Sequence, residues 1–185
     1  MSSAATPIQL TPADVERASE HDAKNYELLD GELKEKPVGF KALLIATRIS
    51  ERLNSRYYPA EGAAAVEAMV YCFSKPNHGR KPDVTFITRA RLPNGRFPDG
   101  DIHIAPDLVV EVLSPGNSGI ELDEKLNEYL IAGVPMVWIV NPDRQTIRIY
   151  RNDGTTQLFR GQEVIENQPG LPGFRLVPAD VFPPA

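Results

Sequence analysis

The feature that most limits the fold of this chain is a nearly continuous apolar run, DLVVEVL, at residues 107–113. Apolar runs of this kind are typical of strands that are buried on both faces of a sheet, whereas half-exposed strands alternate polar and apolar residues. We therefore expect this strand to be central in the fold. Glu111 interrupts the run, and an ionised carboxylate at such a position is costly unless a cation pairs with it.

Further elements are predicted on both sides of this strand. Asp30-Gly31 is a hairpin-turn dipeptide, and Ser118-Gly119-Ile120-Glu121 matches the capping box that begins a helix. Before the central strand, the patterns predict a short helix near Thr11-Pro12, a hairpin over 26–34, a helix over 40–57, strands over 66–73 and 82–87, and an insert over 89–104 with the composition of a mobile loop. After it, they predict a helix from Gly119 to about Gly133, strands over 136–140 and 146–151, and a proline-rich tail with little regular structure.

This order of elements favours a mixed central sheet flanked by helices, which is an α/β or α+β architecture. A chain of 185 residues has the length of one globular unit. Residues 1–22 are interpreted as a lead-in with a short helix, and residues 23–185 as a single domain.

Composition excludes several function classes. The single cysteine, Cys72, cannot form an internal disulfide or a thiolate metal site; because it lies in a predicted apolar strand, we interpret it as a buried structural thiol. The three histidines lack zinc-like spacing and are expected at the surface. No apolar stretch predicts a membrane span and no signal peptide is visible, so a cytoplasmic location is expected. A net charge of −5 disfavours non-specific coating of DNA, but not local contact with phosphates.

Candidate metal ligands follow from strand geometry. Asp107 and Glu111 point to the same face of the predicted strand, but their Cα atoms lie about 13 Å apart, too far to hold one ion easily. Asp83 begins the preceding strand, and antiparallel pairing would bring it beside Glu111. Turn or capping roles for Asp83 and Asp107, and a structural ion pair for Glu111, are the alternatives.

The helix after the central strand carries a lysine on its apolar stripe. On a helical projection Lys125 shares a face with Leu122, Leu126 and Tyr129, so its ammonium is aimed at the sheet. It either snorkels to the edge of the stripe or returns to Glu111. Two carboxylates with a lysine suit metal-assisted phosphodiester hydrolysis, because carboxylates hold Mg²⁺ or Mn²⁺ and the cation stabilises the phosphate.

Four segments, YELLDGEL, KPDVTFI, APDLVVEVLSP and EKLNEYLIAGVPMVWIVNP, together resemble the Uma-type restriction endonuclease family of the PD-(D/E)XK phosphodiesterase superfamily. The resemblance covers roughly residues 25–180. It implies a restriction-endonuclease-like core of helix, three strands, helix and strand, with DNA as substrate.

The same resemblance implies that Asp83 and Glu111 are the two acids of the site, with Glu32 as an extra metal-binding acid; an exposed hairpin residue is the alternative for Glu32. Asp107 is a further candidate helper from its place on the same strand face. The superfamily's usual lysine position holds Leu113, and Lys125 is expected to replace that lysine. A homodimer is expected by analogy, because double-strand cutters need two sites.

Two other functions remain open from the sequence. A catalytically silent member of the fold, acting as a protein-binding or scaffolding subunit, is compatible with Leu113 at the lysine position and with the acidic net charge. Glycoside hydrolysis by paired carboxylates is the third possibility, but the chain lacks an aromatic-rich sugar platform.

Overall fold

The apolar run at residues 107–113 forms the centre of a six-stranded sheet. The computed structural model describes residues 9–114 and 119–184. The elements up to the central strand are α1 (Pro12–Asp22), β1 (Tyr26–Leu29), β2 (Glu32–Glu35), α2 (Phe40–Tyr57), β3 (Gly62–Val66), β4 (Val84–Thr88) and β5 (Leu108–Val112). They are followed by α3 (Gly119–Ile131), β6 (Met136–Asn141), β7 (Thr146–Arg151), β8 (Thr156–Arg160), β9 (Ile165–Glu166) and β10 (Arg175–Leu176).

The main sheet has the order β3-β4-β5-β6-β7-β8. Strands β5 and β6 are parallel, and the other neighbouring pairs are antiparallel. The strands β1 and β2 form a separate hairpin, and β9 and β10 a short ladder. This mixed sheet with helices confirms the predicted fold class.

Both faces of β5 are covered, as the apolar run predicts. Leu108, Val110 and Val112 belong to the main core beneath α2. Val109 belongs to a second cluster beneath α3 that includes Tyr129. Since side chains alternate along a strand, Glu111 shares the α3 side with Val109.

None of the helices among the described residues has the length and apolar content needed to span a membrane.

The two long helices match their predicted positions. Helix α2 runs from Phe40 to Tyr57 and buries a stripe that includes Ile45, Ile49 and Leu53. Helix α3 begins at the predicted Gly119, although Ser118 of the capping box lies outside the described residues. Gly133, with φ of 89°, supplies the left-handed residue expected after the helix.

The strand predicted over 66–73 is wrong. Strand β3 lies earlier, at Gly62–Val66, and Glu67 turns the chain with φ of 52°. Val70 pairs only through isolated bridges to Arg80 and Ile102. Three alanines make β3 a weak strand signal by composition, so the more apolar segment after it was the stronger candidate.

The insert and the tail are more ordered than predicted. In the insert, Leu92 and Ile102 pack with Val70 and Ile87 in a small separate cluster, so the segment is not a bare loop. The tail adds β8 to the main sheet, and its apolar residues Leu171, Phe174 and Val181 complete the main core. Tail residues were missed because their apolar positions lack a regular period.

Candidate active site

Asp83 and Glu111 are neighbours across two antiparallel strands. The register of β4 and β5 sets Val84 opposite Val110, and one further step places Asp83 beside Glu111. Both residues are only 6% exposed. The pairing expected from the sequence is therefore present in the structure, immediately before β4 and near the end of β5.

Both carboxylate oxygens of Asp83 accept hydrogen bonds. Lys36 donates from its ammonium to Oδ1 at 2.7 Å, and the backbone N–H of Val112 donates to Oδ2. A carboxylate held at both oxygens has a fixed orientation. Because each oxygen has two lone pairs, Asp83 retains the capacity to bind a cation as well.

Glu111 is held by side chains from α3. The hydroxyl of Tyr129 donates to Oε1 at 2.8 Å, and the ammonium of Lys125 lies 3.5 Å from Oε2. Burial raises the pKa of Glu111 above its ordinary value, although Lys125 opposes the change. The ionised form of Glu111 would therefore gain from additional positive charge.

Lys125 also contacts a third acid, which sequence analysis missed. Its ammonium donates to Oε1 of Glu27 on β1 at 3.0 Å, and Glu27 is only 3% exposed. Burial opposes ionisation of Glu27, but Lys125 and Arg80 outweigh it, so the pKa of Glu27 is lowered. Glu27 is therefore a stable anion that holds Lys125 by a hydrogen bond.

A chain of polar contacts continues away from Glu27. Arg80 donates from Nη1 to Glu27 at 2.9 Å and from Nε to Glu128 at 2.7 Å. His78 lies beyond, with Nε2 3.3 Å from Glu128 and Nδ1 2.9 Å from Asp30. The side chain of His78 is 3% exposed, so the predicted surface position is wrong for this histidine.

The structure does not bring Glu32 into this group. Glu32 is exposed on β2, opposite Leu29, and it does not line the cleft beside Glu111. The YELLDGEL motif contains two glutamates. The register places both on one face of the hairpin, but Glu27 is buried whereas Glu32 lies next to the turn and is exposed. The predicted contribution of Glu32 therefore has no geometric support.

Asp107 also lies away from the site. Its Oδ2 accepts the backbone N–H of Thr88 at 2.7 Å and the Thr88 hydroxyl at 3.0 Å. These bonds join the end of β4 to the start of β5, whereas Glu111 lies at the opposite end of β5. Asp107 thus has the capping role considered as its alternative.

Two more missed residues lie beside Asp83. The ammonium of Lys36 contacts Glu67 at 3.0 Å as well as Asp83, and burial raises the pKa of Glu67 to about 7. The pKa of Lys36 is raised despite its burial, because Glu111 and Asp83 favour the charged form. The turn at Glu67 gives no clear signal in the sequence, since its positive φ is rare for glutamate.

A cleft of about 250 Å³ lies between the hairpin, the start of α2, the end of β5 and α3, and its lining includes Glu27, Lys36, Asp83, Glu111 and Lys125. Within the described residues, no three His, Cys, Asp or Glu side chains are grouped to hold a metal. Asp83 and Glu111 nevertheless supply adjacent hard oxygen donors of the type that Mg²⁺ and Mn²⁺ prefer, and Glu111 lacks full compensation of its charge. The donor set therefore fits one divalent ion.

Cys72 does not have the properties of a nucleophile. It is half-buried and lies outside the strands, and burial raises the pKa of its thiol to about 11. A thiol with so high a pKa is almost entirely protonated near neutral pH.

Comparisons with known proteins agree with this fold. The Uma2 family, described as "Putative restriction endonuclease", matches residues 12–179. Among solved structures, the chain is similar to a protein described as a putative nuclease belonging to DUF820 from Anabaena variabilis ATCC 29413, with 27% sequence identity and a TM-score of 0.72. That match covers 86% of this chain and 90% of the other. No curated protein gives a significant match.

Proposed function

Since this chain belongs to the Uma2 family of restriction endonuclease-like proteins, we propose that it is a metal-dependent endonuclease that hydrolyses phosphodiester bonds in DNA. The observation that carries the proposal is the position of Asp83 beside Glu111, with the ammonium of Lys125 3.5 Å from Glu111. Two adjacent buried carboxylates and a cation in one cleft are the groups that phosphodiester hydrolysis needs.

Each of these side chains has a distinct task in the proposal. Asp83 and Glu111 would hold Mg²⁺ or Mn²⁺, which neutralises phosphate charge and makes a bound water more acidic. Lys125 stabilises negative charge as it develops on the phosphate. Tyr129 holds Oε1 of Glu111 and so leaves Oε2 directed toward Lys125.

The departure from the superfamily pattern has a structural counterpart. Leu113 stands where the superfamily has its lysine, and Leu113 packs with the apolar residues beneath α3. Lys125 approaches Glu111 from α3 instead. The proposal assigns the missing cation to the helix rather than to the strand.

Cleavage of supercoiled plasmid DNA with Mg²⁺ or Mn²⁺ tests the proposal. We expect Asp83→Asn and Glu111→Gln each to abolish cleavage, because each removes a carboxylate charge from the cleft. Glu32→Gln is the matched control, because Glu32 is an exposed acid of the same hairpin as Glu27 and should leave cleavage unchanged. Cleavage that survives both acid substitutions would contradict the proposed site. A matched RNA substrate decides which nucleic acid is cut.

The expected homodimer can be tested in the same assay. A dimer that presents two clefts to opposite strands should convert supercoiled DNA directly to linear DNA, whereas a single cleft should accumulate nicked circles. Sedimentation of the protein at the assay concentration provides the independent measurement of its mass.

A catalytically silent binding subunit is the second candidate, and Leu113 at the lysine position favours it. For this function we expect a folded protein that binds no divalent ion and cuts neither DNA nor RNA. Retention of the fold is checked by circular dichroism, so that inactivity through unfolding is not mistaken for silence.

A further inference from the structure

Two lysines flank the paired carboxylates, because Lys36 contacts Asp83 and Lys125 contacts Glu111, and their surroundings differ. Lys36 follows the hairpin and is 12% exposed at its side chain, whereas Lys125 comes from α3 and is 14% exposed. Burial alone therefore does not separate them. The number of hydrogen-bond acceptors around each ammonium distinguishes the two lysines.

The ammonium of Lys36 is surrounded by three oxygens. It donates to Oδ1 of Asp83 at 2.7 Å, to the backbone carbonyl of Lys81 at 2.6 Å, and to Oε1 of Glu67 at 3.0 Å. A lysine ammonium has three hydrogens. All three are engaged within the protein, so Lys36 has none to offer to a phosphate or a water.

Lys125 is in a different position. Among residues 9–114 and 119–184, its one hydrogen bond is to Glu27, and Glu111 lies at the longer distance of 3.5 Å. Its ammonium therefore retains hydrogens for a group that enters the cleft. Each ammonium has three hydrogens. Those of Lys36 are all engaged, whereas Lys125 retains hydrogens that can bind a ligand.

We propose that Lys36 is a fixed internal cation that positions Asp83, and that Lys125 is the lysine that meets the substrate. This assignment rests on the proposed nuclease function and deepens it, because it divides the two cations of the cleft between a positioning and a catalytic role. Lys36 acts through Asp83 and does not contact the reacting phosphate.

The three oxygens around the Lys36 ammonium, which belong to Asp83, Lys81 and Glu67, form an oxygen cage. The construction of this cage supports the positioning role of Lys36. Asp83 and Lys81 come from the segment before β4, whereas Glu67 comes from the segment after β3. Glu67 adopts φ of 52°, a conformation that costs free energy for a residue with a side chain. Oε2 of Glu67 is buried without a hydrogen-bond partner in the described residues. The cage thus holds the oxygens of two carboxylates around one ammonium, and these oxygens remain as potential ligands of a cation once that ammonium is removed.

Removal of the ammonium should therefore create a cation site. The variant Lys36→Met keeps the length of the stem but leaves the three oxygens without a cation. We expect this variant to bind one more Mn²⁺ per chain than the wild type in calorimetric titration. We also expect Mn²⁺ at saturating concentration to raise its melting temperature by about 5 °C or more beyond the shift seen in the wild type.

Lys24→Met is the matched control, because Lys24 is an exposed lysine that pairs with Glu35 on the same hairpin. It should bind the same number of ions as the wild type. If Lys36 only fills space, Lys36→Met should also bind the same number of ions as the wild type. Equal stoichiometry in Lys36→Met and wild type therefore overturns the proposal.

The comparison remains decisive if the variant is unstable. Folding of Lys36→Met or Lys36→Gln only when Mn²⁺ is present supports the proposal, whereas failure of both to fold with and without Mn²⁺ overturns it.

The proposed metal site of Asp83 and Glu111 is judged separately from the role of Lys36. No ion in the wild type but one in Lys36→Met would retain the role of Lys36 and reject metal binding by Asp83 and Glu111.

Discussion

At the scale of single residues, two buried glutamates in one cleft differ in their ionisation. Glu27 contacts two cations, Lys125 at 3.0 Å and Arg80 at 2.9 Å, and its pKa is lowered although burial opposes this. Glu111 has a tyrosine hydroxyl and a more distant Lys125, and burial raises its pKa. Glu111 is therefore the acid that would gain more from an added cation.

Replacement of Lys125 should separate catalysis from packing. Lys125→Met keeps most of the stem and deletes the charge, so we expect DNA cleavage to fall by about 100-fold or more, as for the loss of one preorganised electrostatic group. Glu27 retains Arg80 as a partner, and we expect the variant to stay folded. Cleavage assays and thermal melting measure the two effects, and unchanged cleavage would mean that Lys125 only snorkels.

The thiol of Cys72 should react slowly. Burial raises its pKa from 9.0 to about 11, and the thiolate is the reactive form, so alkylation by iodoacetamide at pH 8 should be about 100-fold slower than for an ordinary thiol. The rate should rise about tenfold per pH unit until the pH approaches the pKa. Mass spectrometry follows the reaction, and a rate that levels off below pH 9 would contradict the expectation.

At the scale of elements, strand register decides which acids meet. The antiparallel pairing of β4 with β5 places Asp83 beside Glu111, and the alternation along β5 puts Leu113 on the same side as Glu111. In the hairpin of β1 and β2, Glu27 pairs with Lys34 and Glu32 pairs with Leu29, so the two glutamates share a face and differ in their distance from the turn. The correct length and type of each element are therefore not enough to form the site. Strand pairing must also decide which side chains lie next to each other.

A lysine on β5 should partly replace the lysine on α3. Leu113 lies two residues after Glu111 on the same face, about 7 Å away along the strand. In the Lys125→Met background, Leu113→Lys should therefore recover part of the lost DNA cleavage. The single variant Leu113→Lys is the control for loss of packing, and circular dichroism checks the fold. A double variant no more active than Lys125→Met would mean that the position of the cation on α3 is essential.

At the scale of the whole molecule, the site joins parts of the chain that are distant in sequence. Glu27 and Lys36 come from the hairpin region, Asp83 and Glu111 from the central sheet, and Lys125 from α3. A ligand that binds this group binds the native state and not the unfolded chain. Binding should therefore stabilise the entire fold.

Divalent ions should raise the melting temperature of the wild type. At about 100 times the dissociation constant, one bound ion adds about 2.7 kcal/mol to the free energy of unfolding. Thermal melting with Mn²⁺, followed by addition of a chelator, measures this effect. The double variant Asp83→Asn/Glu111→Gln should lose the shift, and an equal shift in that variant would place the ion elsewhere.

The sequence by itself determined the features that depend on neighbouring residues. The helix at residues 40–57, the turn at Asp30-Gly31, the start of the helix at Gly119 and the double burial of β5 all follow from local periodicity, turn chemistry or apolar content. Asp83, Glu111 and Lys125 were also identifiable, because each is a charged residue at the edge of, or within, an apolar pattern.

Only the tertiary structure decided which of the remaining charged residues join the site. It brings in Glu27, Lys36 and Glu67, and it leaves Glu32 exposed and Asp107 on Thr88. The burial of one end of the hairpin, the turn at Glu67 and the position of β3 depend on contacts between segments far apart in the chain. A local pattern specifies the type of an element and the spacing of its side chains, but the burial and pairing of a charge depend on the distant segments that pack against it.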